Sequence, residues 1–544
     1  MSNKLIAKIL LFLMCFLIVV FNGRTLKSYE FNKQNSKLLE ELPPSLQVTS
    51  VALGPMKGLL ADVVWWRAER MLENKEFFES IQLADWLTGL QPTYPSVWVY
   101  QGFNLAFNIS YNFSNVEERW KWIHEGIKLL RDKGLRSIPD WELNRKIRFE
   151  IVDIYSRKLS GVSDVEARRF QDFWTLEMLK YFDQGSLSEL EKIAKAPKTF
   201  VELMQDKDVV EFFDVLKLSE SKFETMLIMQ PPSLKLLKAN TPENKTYNST
   251  FMKVYRYSQR KRLKAELNMD IERIIQVDNE YGPLDWRTHE AQIIYWGMEE
   301  DHSKFKSGGM QYSHYIRDAL LSSLYRGRIL FSEEKDYFMR TQNLEMVIRL
   351  HEYFNKALSE LEYGTVDFAR ADKMNRDFLQ RASVICYNYN QISAAKDLFN
   401  HYADYLKEDG KEMTFEQFIV QSMETSLKRE NYKSRGSFLE SVITKALEDA
   451  ALGEWDRYHG YTRLVKMIYK MHQKKHADAP ARLLPPLKDI VASAKKSYAK
   501  KKNKNDDELS KLEQEADKYA EPEVELLKSF HCKDEGNELN SSQK

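Results

Sequence analysis

From residue 51 onward, apolar side chains return every three or four positions, and that spacing commits the chain to helices. In Gly58-Leu-Leu-Ala-Asp-Val-Val-Trp-Trp-Arg-Ala-Glu-Arg-Met-Leu72 the face runs through Leu60, Val64, Met71 and Leu72, widened by Trp65 and Ala68. This is one stripe of a helix with 3.6 residues per turn. A second helix is predicted over residues 77–90. It ends at Gln91-Pro92, because proline has no amide hydrogen to continue the ladder, and a third begins near Pro95. Only 20 Gly and 15 Pro punctuate 544 residues, and no stretch alternates Val, Ile and Thr with polar positions, which excludes a large all-β fold. A single core stops growing at roughly 250–300 residues, so the length predicts several domains or one extended array.

A repeat is visible inside this pattern. Trp65-x2-Ala68-Glu69-x2-Leu72 returns as Trp98-x2-Gln101-Gly102-x2-Leu105, an offset of 33 residues with a helix and a proline turn between. The pattern resembles the tetratricopeptide repeat, which carries Trp-x2-Leu-Gly-x2-Tyr on its first helix and Ala-x3-Phe on its second. Trp98, Gly102 and Leu105 fit the first helix, with Gln101 in place of Leu. After Leu105 an Asn-rich connection over residues 108–115 interrupts the pattern, and Trp120, Ile123, Ile127 and Leu130 mark the next apolar face. A further candidate is Leu379-x2-Ala382-Ser383-x2-Cys386, followed by Ala395-x3-Phe399 and Tyr402. The structural repeat positions are thus Trp65, Ala68, Leu72, Trp98, Gly102, Leu105, Ala395 and Phe399.

Ahead of the helices, Lys4 and Lys8 precede an unbroken apolar run over residues 9–21, which extends back to Leu5 if the Lys8 amine snorkels. Residues 5–21 are read as membrane-inserted. Phe21-Asn22-Gly23 is a poor cleavage site, so the expectation is an uncleaved signal anchor, with a cleaved secretory signal as the alternative. The body is then placed outside the cytoplasmic membrane, anchored to it or released if the signal is cut. The three cysteines, Cys15, Cys386 and Cys532, form no disulfide framework, and Cys386 is expected to be a buried free thiol. With 81 basic residues against 80 acidic, no broad positive field is available for nucleic acid.

Chemistry-bearing motifs are sparse. His124-Glu125, His289-Glu290 and His351-Glu352 each begin a zincin-like pattern, but none has the second histidine, and all three read as helix-surface pairs. His472 and His476 share a helix face with Lys474 and Lys475 between them and read as solvated. Phosphate loops, nucleophile elbows and Cys-x2-Cys pairs are absent from the sequence, so neither a cofactor nor a metal is expected. The most distinctive cluster is Asp278-Asn-Glu-Tyr-Gly-Pro-Leu-Asp-Trp-Arg287. Gly282-Pro283 predicts a turn, and Asp285 a cap for the helix that follows. As a partner site, Tyr281 and Trp286 would stack while Asp285 and Arg287 make polar contacts; as a structural turn, Trp286 would anchor the core. Asp62, Arg67 and Asp85, beside Trp65, Trp66 and Trp86, are expected to find partners inside a repeat stack.

Taken together, Gly58-Leu-Leu-Ala-Asp-Val-Val-Trp-Trp-Arg-Ala68, Gln82-Leu-Ala-Asp-Trp86, Gln91-Pro92, Trp98-Val-Tyr-Gln-Gly-Phe-Asn-Leu-Ala106, Tyr281-Gly-Pro-Leu-Asp-Trp-Arg287 and Leu484-Pro-Pro-Leu487 resemble a family of helix-rich, membrane-anchored proteins. That family belongs to Planctomycetes, Verrucomicrobia and Lentisphaerae-type bacteria; the resemblance implies a tetratricopeptide-like fold and carries no activity. The expected fold is therefore all-α: a tetratricopeptide-like helical repeat, or α-solenoid, with irregular insertions after an N-terminal membrane anchor. Its parts are an anchor (1–24), a juxtamembrane linker (25–50), helical-repeat regions (51–230 and 251–480) joined by a proline-rich linker (231–250), and a charged, partly disordered tail (481–544). The expected role is a cell-envelope scaffold binding a protein or peptide. The alternative is a helical toroid enzyme that cleaves polysaccharide with paired carboxylates.

Overall fold

A computed structural model describes residues 56–160, 165–216, 245–298, 310–332, 337–410, 412–429, 435–451 and 453–502, with a few isolated positions beyond them. Residues 1–55, which hold the predicted anchor and juxtamembrane linker, lie outside the described residues, as do Cys532 and residues 223–244. The protein is mostly helical, and the chain divides into two compact units, Met1–Ser322 and Ser323–Lys544. Among the described residues no helix is long and apolar enough to cross a membrane.

The first unit opens with a hairpin of α1 (Met56–Glu73) and α2 (Phe77–Leu90), then α3 (Pro95–Phe103). The predicted proline stop and restart are both present. The Asn-rich stretch is not a loop at its start, because α3 continues through a π-helical segment, Asn104–Ile109, and a short 3-10 turn, Ser110–Asn112. Helix breaking is deferred to Asn115, whose side chain caps α4 (Val116–Lys128) by accepting from the Glu117 and Glu118 amides. There follow α5 (Arg145–Leu159), α6 (Val165–Met178), α7 (Leu187–Ala194), α8 (Lys207–Leu216), α9 (Lys245–Leu267), α10 (Ile271–Tyr281) and α11 (His289–Gly297). The last six positions of the predicted linker, 245–250, are thus already helical. Every residue of α11 is buried, and it lies against α5, which also carries α3. Leu203, Val209, Phe212, Phe213, Val254, Tyr255 and Tyr257 close a satellite core where α8 meets α9.

After α12 (Met310–Arg326) the second unit adds a feature the sequence did not signal. This is a β-hairpin of β1 (Arg328–Ser332) and β2 (Tyr337–Thr341), antiparallel with Leu330 opposite Met339. Helices α13 (Met346–Glu360), α14 (Val366–Asn388), α15 (Ile392–Glu408), α16 (Phe415–Arg429), α17 (Arg435–Ala450), α18 (Trp455–Lys475) and α19 (Leu487–Lys502) complete it. Arg457 ties several of these together: it pairs with buried Asp449 of α17 at 3.1 Å, donates to Thr341 Oγ1 at 2.6 Å and lies over the Tyr389 ring. The start of the predicted tail is corrected by α19. Ile490, Ala494 and Tyr498 are buried where α19 meets α17, so the start of the basic block, with Lys496 and Lys500 exposed, belongs to a docked helix.

Three hairpins share one turn. Two or three residues past the end of α1, α14 and α17 the backbone turns left-handed, at Lys75 (φ 64°), Asn390 (φ 65°) and Gly453 (φ 78°). In each, the next amide reaches back over the helix end: Glu76 to Met71 O at 2.9 Å, Gln391 to Cys386 O at 2.9 Å, Glu454 to Asp449 O at 3.0 Å. This is the Schellman pair of bonds, which satisfies the last carbonyls of one helix and aims the chain back along it. The two helices then meet at small residues. In the first hairpin Ser80 Oγ donates to Ala68 O at 3.0 Å, and in α14–α15 Ser383 Oγ donates to Ala395 O at 2.6 Å, each across twelve residues. The α3–α4 pair meets at Gly102 and Gly126, where a Cβ on Gly126 would stand 2.9 Å from Gly102 O.

Candidate functional site

Two of the predicted repeat positions lie where helices approach closely: Ala68 O accepts from Ser80 Oγ, and Gly102 O would stand 2.9 Å from a Cβ on Gly126. Trp98 is buried, 3% exposed, and its indole donates to Pro92 O at 2.8 Å, whereas Trp65 and Leu72 are partly buried and Trp65 stacks on Tyr100. Leu105, Ala395, Phe399 and Cys386 are buried. Burial in an apolar setting pushes the Cys386 thiol up to about 12. Asp62 and Arg67 are exposed and need no buried partner; Asp85, also exposed, accepts from Gln101 Nε2 at 2.9 Å.

The Tyr281–Arg287 segment is brought together but turned inward. Helix α10 is capped by Asp270 and ends at Gly282-Pro283, a cis bond. Asp278 Oδ1 accepts from the Leu284 amide at 3.0 Å and the Trp286 indole at 2.9 Å, fixing the turn. Arg287 grips Asp285 through Nε at 2.9 Å and Nη2 at 2.8 Å and donates from Nη1 to Asp183 O. Asp285, Trp286 and Arg287 are buried and Tyr281 is partly buried. Asp285 does not cap α11, whose N-cap position is Thr288, because its carboxylate is held by Arg287.

Next to this turn stands an arrangement that sequence reasoning missed. Glu189 of α7 accepts from the amides of Asp183, Gln184 and Gly185, each at 2.8 Å, and from Arg256 Nη1 at 2.9 Å. Gly185, in a left-handed conformation at φ 64°, passes its carbonyl to the Trp286 amide at 3.0 Å. Asp183 accepts from Tyr255 OH at 2.8 Å, and its carboxyl is pushed above the ordinary range by burial and by Glu189. No spacing rule joins positions 183–189, 256 and 285–287, which explains why the sequence did not reveal the network. Its donors and acceptors are spent on one another, so its chemistry is cohesive.

Two further groups bring titratable side chains together. His289 and Glu290 are fully buried rather than surface residues, with Nδ1 3.0 Å from Glu290 Oε2 and Nε2 3.4 Å from Ser160 Oγ. This order resembles a serine relay, but Ser160 follows the last turn of α5, where carbonyls rather than amides are free. A developing oxyanion would meet the wrong end of the helix dipole there. Glu290 is also committed to Ser322 Oγ at 2.8 Å. His124 instead faces Glu177 at 3.3 Å, and the His351 and His401 rings lie 5.2 Å apart. Among the described residues, no group of three His, Cys, Asp or Glu could hold a metal ion.

The second group is on α5. Asp153 accepts from Tyr315 OH at 2.6 Å and from Arg157 at 3.1 Å. Glu150, one turn earlier, is only 7% exposed, and burial together with Asp153 pushes its carboxyl to about 7. Both carboxylates project from one face of one helix, three residues apart, whereas a glycosidase pair must flank the scissile bond from two sides. Lys158, pushed down to about 8 by burial, lies over the Phe107 ring, as does Arg157.

Comparison with protein-family models, curated proteins and solved structures yields no match.

Proposed function

We propose that the protein is a membrane-anchored cell-envelope scaffold whose tetratricopeptide-like helical hairpins present a surface to a protein or peptide partner. The observation that carries this reading is the repeated hairpin: one turn geometry at Lys75, Asn390 and Gly453, and small residues where the paired helices touch. Such units bury one face against a neighbour and leave another free for recognition. The likeness to the helix-rich bacterial family, the apolar run over residues 9–21 and a body on the periplasmic side belong to the same proposal. The shallow cavity of about 460 Å³ between the end of α15 and the start of α16, lined by Leu406, Met413, Thr414 and Gln417, is a size that takes one or two side chains of a peptide.

A photo-crosslinking residue at Met413, irradiated in native membranes, should yield a discrete protein adduct that Thr414→Trp, by filling the cavity, abolishes. Absence of any adduct from Met413 and from exposed positions of the α14–α15 hairpin would overturn the scaffold reading.

A further inference from the structure

The first hairpin buries Ala61, Ala68, Ala84 and Leu87 on one side and still carries large apolar side chains in the open. On α1, Leu59, Val63 and Trp66 are 58%, 62% and 61% exposed, and their spacing of four and three residues puts them on one stripe. Arg70 continues the stripe and lies over the Trp66 ring at 4.9 Å. On α2, Phe78 and Trp86, two turns apart, are each 67% exposed. Elsewhere among the described residues, exposed large apolar side chains such as Leu176, Val201 and Tyr363 stand singly or in sequence-local pairs. Phe78 also meets the Trp122 ring of α4 edge-on, so the uncovered apolar side chains are the α1 stripe and Trp86, and a grouping of this kind marks an interaction surface.

We propose that this outer face of α1 and α2 seats in the lipid–water interface, with Trp66 and Trp86 as interfacial anchors; the proposal rests on the reading of residues 5–21 as membrane-inserted. Three observations select lipid as the occupant. Tryptophan, with an apolar body and a polar N–H, partitions to the headgroup level, and a neighbouring arginine can lay its stem on the ring and keep its guanidinium in water. The hairpin is the part of the described chain nearest in sequence to the apolar run, which ends at Phe21, 35 positions before Met56. A tether of that length, at most roughly 120 Å when extended, keeps the hairpin within reach of the surface at all times. The apolar exposure is concentrated on that hairpin and thins out along the rest of the chain.

The test uses the full chain with Cys15→Ser and Cys532→Ser, leaving the buried Cys386 in place. An environment-sensitive fluorophore is attached at Val63→Cys or, as a control on an exposed site of the other unit, at Tyr363→Cys. Both proteins are reconstituted in phosphatidylcholine–phosphatidylglycerol vesicles. The expected result is blue-shifted emission at position 63, with several-fold stronger quenching by spin-labelled lipid than at position 363, and loss of that quenching with Trp66→Ser and Trp86→Ser. Water-like emission at position 63 would overturn the proposal. So would a blue shift without lipid quenching, which would assign the face to a second copy of the chain or to residues 22–55. Flotation of the same vesicles separates the two levels. A chain that floats with position 63 unquenched loses only the interfacial seat, whereas one that does not float loses the anchor reading as well.

Discussion

The α1–α2 and α14–α15 hairpins are built alike and surrounded differently. Both close with a left-handed residue, Lys75 or Asn390, and both join their helices by a serine hydroxyl on a carbonyl twelve residues away. In α14–α15 the outward positions next to that contact meet other helices: Phe399 lies against Phe418 of α16, and Tyr387 meets Met467 of α18. In α1–α2 the corresponding outer stripe of Leu59, Val63 and Trp66 is exposed. The difference teaches that the hairpin is a locally determined unit, set by a turn and a small-residue contact, while the fate of its outer face depends on what lies beside it.

The largest expected effect separates inner from outer tryptophans. Trp98→Ala should cost about 3–5 kcal/mol in a denaturant titration, because it opens a cavity beside Gly134 and removes the bond to Pro92. Trp66→Ser should change stability by less than about 0.5 kcal/mol in detergent. Equal losses at the two sites would break the distinction between them. Next is Glu150, whose folded carboxyl sits at about 7 against an ordinary 4.5, so the fold favours its protonated form. That contribution is fully present below pH 4.5 and is lost as pH rises through 7. Glu150→Gln, neutral throughout, should therefore raise stability above pH 7 by up to about 3 kcal/mol and leave it unchanged below pH 4.5. A shift of the denaturant midpoint that is the same at both ends would contradict the burial account.

Smaller effects test whether the hairpins are one device. Ser80→Ala and Ser383→Ala should each cost about 1 kcal/mol, the net worth of a buried hydrogen bond, and should do so equally. Lys75→Gly should stabilise by roughly 0.5–1 kcal/mol, by relieving a side chain from a left-handed backbone, and Gly453→Ala should destabilise by about as much. Thermal unfolding measures both, and opposite signs to these would mean that the shared turn is not what holds the helices.

What could be read in advance was local. Helix α2 over residues 77–90, the restart at Pro95 and the burial of Cys386, Ala395 and Phe399 all follow from spacing and proline chemistry. The Ala68–Ser80 contact was not legible, because it is made across a turn to the next helix. Helix α19 was hidden because Ile490, Ala494 and Tyr498 are spaced four apart among lysines, so charge dominated the pattern. The burial of His289 and Glu290 beside Ser160 and Ser322, and the pairing of Glu189 with Arg256, depend on partners far away in sequence, which no local period encodes. At the candidate site the cluster at Asp278–Arg287 was legible as a turn, but its inward aim was decided by Gly185 and Asp183, a hundred residues earlier.

The proposed anchor is the apolar run over residues 9–21, which would tether the helical scaffold to a membrane. Vesicle flotation after alkaline carbonate washing, comparing the full chain with one lacking residues 2–24, tests it most directly. The account predicts that the full chain stays with the vesicles and that the shortened chain is released by carbonate, since an interfacial hairpin alone does not withstand that wash. A full chain released by carbonate, or a shortened chain that remains bound as firmly as the full one, would contradict it.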